Sequence, residues 1–78
     1  DSTVWLVQTA SFRDKINALG LRSELKVAGY PVDVKVAEKD GSPIFRVFVG
    51  PVTGQDAAKR LQGEIKRDFN RETLLVRQ

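Results

Sequence analysis

The sequence predicts an α+β fold of the ferredoxin-like, split βαβ type, in which four antiparallel strands form one sheet and two helices pack on one face in the order βαββαβ. Three observations lead there. Strand-like composition occurs at Val4–Thr9, Val32–Ala37, Ile44–Val49 and Thr73–Arg77. Apolar residues spaced three and four apart fill the stretches between the first and second and between the third and fourth of these segments. The two halves also resemble each other: Val7-Gln8-Thr9-Ala10-Ser11 precedes the first helix as Val49-Gly50-Pro51-Val52-Thr53 precedes the second. Two helices cover only one side of such a sheet, so ligand-binding residues are sought on the other.

The elements follow in order. Along Val4 to Thr9, Trp5 and Val7 point one way and Val4, Leu6 and Gln8 the other. Ser11-Phe12-Arg13-Asp14 has the Ser-x-x-Asp form of a capping box, which places the start of the first helix there. Ala18, Leu21, Leu25 and Ala28 make its apolar stripe, and Gly29 with Pro31 beyond ends it. Val32, Val34 and Val36 alternate with Asp33, Lys35 and Ala37, the signature of a strand with one buried face. Lys39 to Pro43 is turn chemistry, so the second and third strands form a hairpin. Gly50-Pro51 closes the third strand, Thr53 to Asp56 repeats the capping pattern, and the second helix is expected over residues 55–67, with Gly63 weakening it. Residues 68–72 read as loop before the closing strand.

Composition narrows the chemistry. A chain of 78 residues with no Cys, His or Met holds one domain, and at this size about 60% of the unfolded surface can be buried. Without Cys or His there is no thiolate–imidazole metal site, no Cys nucleophile and no Ser-His-Asp triad. No cofactor is implied. The 13 basic and 10 acidic side chains give a net charge of +3, and the whole excess lies in residues 59–78. No apolar run approaches the roughly 18 residues that span a bilayer. The chain is either cytosolic or cut from a longer exported parent, and the start at Asp1 rather than Met favours the cut fragment, with residues 1–78 a single domain.

Strand phase selects the side chains of the uncovered face. Phe45, Val47 and Val49 are expected under the helices, since the opposite choice would bury the Arg46 guanidinium without a partner. That leaves Ile44, Arg46 and Phe48 outward. Leu75 is expected inward, with Leu74 and Val76 outward. The uncovered face would thus be an exposed apolar floor of Leu6, Ile44, Phe48 and Leu74 carrying one amide, Gln8, and one cation, Arg46. Such a surface suits a ligand, although singly exposed apolar residues need no functional explanation.

At Trp5-x-Val7-Gln8-x-x-Ser11-Phe12, Asn17-Ala18, Leu21, Leu25, Gly29-Tyr30 and Phe45-Arg46-Val47-x-Val49-Gly50-Pro51, the chain resembles the SPOR (sporulation-related repeat) domain over about residues 3–77. The resemblance implies the same ferredoxin-like fold. It further implies a non-catalytic, monomeric module that binds peptidoglycan glycan strands lacking stem peptides and so gathers at the division septum. Its place would be the periplasm or cell envelope, in a parent protein anchored in the inner membrane by a segment outside this chain. Carried over residue by residue, the glycan-binding face would contain Gln8, Ser11, Ile44, Arg46 and Leu74. The sequence departs from the family pattern at Ala10, where Gly is common, and at Ile44, where some members have an aromatic residue.

Other readings are weaker in specific ways. RNA-binding domains of this fold class stack bases on aromatics of the central strands, and Ile44 to Val49 lacks their motif, so nucleic acid is disfavoured. A small-ligand regulatory domain and a protein-interaction module remain as alternatives. Trp5 is read as core, Asp14 and Asp56 as helix-end acids, and Lys59, Arg60, Lys66, Arg67 and Arg71 as a solvated basic face.

Overall fold

The computed structural model describes residues 1–78, as β1 (Val4–Phe12), α1 (Lys15–Val27), β2 (Val32–Lys39), β3 (Ser42–Thr53), α2 (Gln55–Phe69) and β4 (Leu74–Arg77). The strands lie in the order β2-β3-β1-β4 with every neighbouring pair antiparallel. This is the split βαβ arrangement that the sequence predicts. Val7, Val47 and Val49 of the sheet meet Ala18, Leu21 and Leu25 of α1 and Ile65 of α2 in one core cluster, flanked by Phe45, Val32, Val34 and Leu75. The phases assigned to β1, β3 and β4 from the sequence therefore hold.

The first helix starts later than the capping box suggests. Ser11 lies in β1, and the N-cap is Asp14, whose Oδ1 accepts the Ile16 amide at 2.9 Å. The reason is nonlocal: β3 offers pairing partners to Ala10, Ser11 and Phe12, and pairing brings Phe12 onto the core. A helix beginning at residue 12 would forgo both. At the other end the Gly29 amide donates to Lys26 and the Tyr30 amide to Leu25, a Schellman closure that uses the positive φ of Gly29.

The hairpin turns on Asp40 and Gly41, with φ of 52° and 78°, and Lys39 pairs directly with Ser42. These are the backbone signs of a two-residue type I′ turn. Hence β3 begins at Ser42, before Pro43, and is longer than the apolar run alone suggests. Pro43 is tolerated because β1 pairs with β3 only from Phe45 onward, leaving that stretch bordered by β2 alone.

The second helix runs two residues past its expected end, because Phe69 packs edge-on against Tyr30 with ring centroids 6.2 Å apart. Asn70 closes it in the left-handed conformation. At its start Gly54 rather than Thr53 is the N-cap and makes no side-chain bond. Asp1 substitutes from across the chain: its Oδ2 accepts the Gln55 amide at 3.0 Å, while its Oδ1 accepts the Thr3 amide. One exposed carboxylate thereby ties the entry of β1 to the entry of α2.

Candidate functional site

Two irregularities in the β1–β3 ladder shape the uncovered face. Between the pairs Gln8↔Phe48 and Ala10↔Val47, β1 spends one extra residue, Thr9. Strict alternation would put Ser11 on the same face as Val7; the bulge reverses the phase and places Ser11 beside Gln8's face instead. Thr9 itself is turned inward, 3% exposed, and its hydroxyl donates to the Val47 carbonyl at 3.0 Å. The second bulge lies on β3, where Gly50 and Pro51 together face Leu6. Gly50 has φ of 126°, and a Cβ there would come 3.1 Å from the Trp5 carbonyl oxygen, so only glycine fits.

Register then lines up two rows of side chains across the face. One is Lys35, Arg46 and Ser11, on β2, β3 and β1. The adjoining row is Asp33, Phe48, Gln8 and Leu74, reaching β4. Gln8, Ser11, Arg46 and Leu74, the residues carried over from the family resemblance, thus share one surface with Ile44, which pairs with Ala37 at its β2 end.

The floor is not exposed as the sequence suggested. Leu6, Ile44 and Phe48 retain 8%, 7% and 8% of their surface, so most of the apolar floor is covered. The Lys35 ammonium sits 5.6 Å from the centre of the Phe48 ring. Leu74 is the open apolar contact, 64% exposed. The result is a buried hydrophobic layer under a polar upper surface of Gln8, Ser11, Lys35 and Arg46.

Arg46 has no acidic partner. The two ion pairs of the protein, Lys66 with Glu72 and Arg67 with Asp68, are in α2 and the segment that follows it. Asp33, the acid of the neighbouring row, turns its Oδ1 to the Val34 amide at 2.9 Å. The groups with displaced titration also lie off this face. Burial, and then the Glu64 charge, raise the Tyr30 phenol above the ordinary tyrosine range. The hydrogen bond from Arg67 holds the Asp68 carboxyl below the ordinary aspartate range.

Lys35 escaped the sequence reading although its signal was present. The Val32-Val34-Val36 alternation already pointed Asp33, Lys35 and Ala37 away from the core, but only the register shows that Lys35 stands opposite Arg46. Trp5 shares Val7's face as expected, yet it is half-buried at the end of the sheet, and its indole Nε1 is buried without an acceptor. The surface recesses lie elsewhere, one beside Phe12, Ile16 and Arg71, the other beside Asp1, Gln55 and Arg60. A broad shallow face without an enclosed cavity fits an extended chain better than a small molecule.

A family model described as the SPOR domain matches residues 1–74. The chain belongs to the SPOR domain family. In overall structure this SPOR domain is similar to the crystal structure of the RlpA SPOR domain from Pseudomonas aeruginosa, with 25% identity and a TM-score of 0.83 over 96% of this chain and 99% of that one. It is similar also to the solution structure of the peptidoglycan binding domain of the B. subtilis cell wall lytic enzyme CwlC, with 27% identity and a TM-score of 0.70 over 100% of this chain and 92% of that one. The Spor protein DedD shares the fold, with a TM-score of 0.69 at 23% identity over 96% of this chain and 39% of that one. No curated protein matches the SPOR domain described here in sequence.

Proposed function

We propose that this SPOR domain binds peptidoglycan through the uncovered sheet face, and that it selects glycan strands from which stem peptides have been removed. Family membership and the peptidoglycan binding of the similar CwlC domain support the ligand class. The observation that carries the finer reading is Arg46: a half-buried arginine on a face whose one acid is bonded to its own strand, paired with Ser11 across the β1–β3 ladder.

The chemistry is specific. While a stem peptide is attached, the lactyl group of N-acetylmuramic acid ends in a neutral amide. Hydrolysis of that amide leaves a carboxylate, and the planar guanidinium fork donates two parallel, charge-assisted hydrogen bonds to a carboxylate. Arg46 therefore reads the absence of the peptide. Gln8 and Ser11 exchange hydrogen bonds with acetamido and hydroxyl groups along the strand. Leu74 packs against a sugar ring, and Leu6, Ile44 and Phe48 keep the surface beneath them firm. Binding is the whole of the activity; no catalytic residue is assigned. Because stripped strands accumulate where septal wall is being processed, the same selectivity would bring the parent protein to the division site, on the periplasmic side of an inner membrane in which that parent is anchored.

Sedimentation with amidase-treated sacculi tests this. Wild-type protein is expected to pellet with treated sacculi and far less with untreated ones, and Arg46→Ala to lose that preference. Unchanged pelleting of the variant would overturn the reading.

A further inference from the structure

Lys35 and Arg46 face each other directly across β2 and β3. Directly opposed residues have Cβ atoms about 4.5–5.5 Å apart, and like charges there destabilise a sheet. No acid relieves the pair. Asp33, the carboxylate on the same face, has its Oδ1 bonded to the Val34 amide, and no Asp or Glu oxygen lies within ion-pair distance of either cation. Nor is Lys35 free to swing its charge away at no loss, because its ammonium rests 5.6 Å from the centre of the Phe48 ring on the same surface. Two cationic residues without an acidic partner thus stand opposite each other in the row that ends in Ser11.

Resting on the glycan reading above, we propose that Lys35 is a specificity-determining residue: with Arg46 it clamps a single ligand carboxylate, so that free-acid lactyl groups are favoured over amidated ones by two charges rather than one. A carboxylate offers about four lone-pair sites. The Arg46 fork takes one on each oxygen, and the Lys35 ammonium, approaching from β2, takes another. The Ser11 hydroxyl closes the row from β1.

The test compares Lys35→Gln, Lys35→Arg and wild type on two probes. One is a purified peptide-free glycan oligosaccharide with free lactyl carboxylates; the other is the same oligosaccharide after coupling of those carboxylates to methylamine. Wild type is expected to prefer the free acid. Lys35→Gln is expected to lose roughly tenfold in affinity for the free acid, the scale of one charge-assisted bond, with little change toward the methylamide. Lys35→Arg is expected to retain the preference. Equal affinity of Lys35→Gln and wild type for the free acid, or an equal loss on both probes, would each overturn the role of Lys35 while leaving glycan binding intact. A wild-type protein that binds neither probe would instead remove the glycan reading on which the proposal rests.

Discussion

Substituting Thr9 by Val probes the device that sets the composition of the binding face. The change keeps the β-branched shape and replaces the hydroxyl by a methyl group of similar volume, so no cavity opens. What disappears is the 3.0 Å bond from Thr9 Oγ1 to the Val47 carbonyl, in a position 3% exposed. That carbonyl lies where β1 has two residues against one on β3. Removing one partner of a buried hydrogen bond costs about 1–2 kcal/mol. For a domain of this size that corresponds to about 5–10 °C in Tm. Urea melts of Thr9→Val against wild type give the energy, and amide chemical shifts locate it: the largest changes are expected from Ala10 to Phe12 and at Arg46 and Val47, the residues whose register the bulge sets. A variant within about 0.3 kcal/mol of wild type, with unshifted Ser11 and Arg46 amides, would refute the idea that this hydroxyl pins the bulge.

Two further predictions concern the helix start and a surface charge pair. Asp14→Ala should destabilise the domain by about 1 kcal/mol through loss of the N-cap, and Ser11→Ala by well under half of that, since Ser11 caps nothing; denaturant melts that reverse this ranking would return the cap to Ser11. Asp68 should titrate below the ordinary aspartate range by carbon-detected NMR and move back into it in Arg67→Ala. With its folded value depressed, any stabilisation from this pair is present above the unfolded aspartate range and is lost as pH falls through the folded value, so the variant's loss should vanish in strong acid.

The hairpin was the most legible part of the sequence, because its information is local: a valine alternation, Asp40-Gly41, and a second alternating run. The helix stripes were legible for the same reason. Ser11 was misread because Ser-x-x-Asp fits two frames, one with Ser11 as cap and one with Asp14. The choice is made by pairing with Arg46, 35 positions away, which no local pattern contains. The Thr9 bulge was invisible for a related reason, being a mismatch in count between two strands rather than a property of either. Gln8 and Ser11 sit three apart, an odd spacing that regular alternation assigns to opposite faces; the bulge is what lets both serve one site. Phase also predicted direction without predicting cover. Leu6, Ile44 and Phe48 point away from the helices as expected, yet their neighbours on the sheet bury them, and Lys35 does part of that work.

The central claim is that the sheet face opposite the helices is where glycan binds. Titrating the isotope-labelled domain with peptide-free glycan oligosaccharide and following its amide and side-chain NMR signals tests that claim most directly. The account predicts saturable shifts at Gln8, Ser11, Lys35, Arg46 and Leu74, with Ala18 and Leu25 of α1 and Ile65 of α2 unmoved. Shifts confined to the recess beside Phe12, Ile16 and Arg71, or to the basic face of α2 at Lys59 and Arg60, would contradict it.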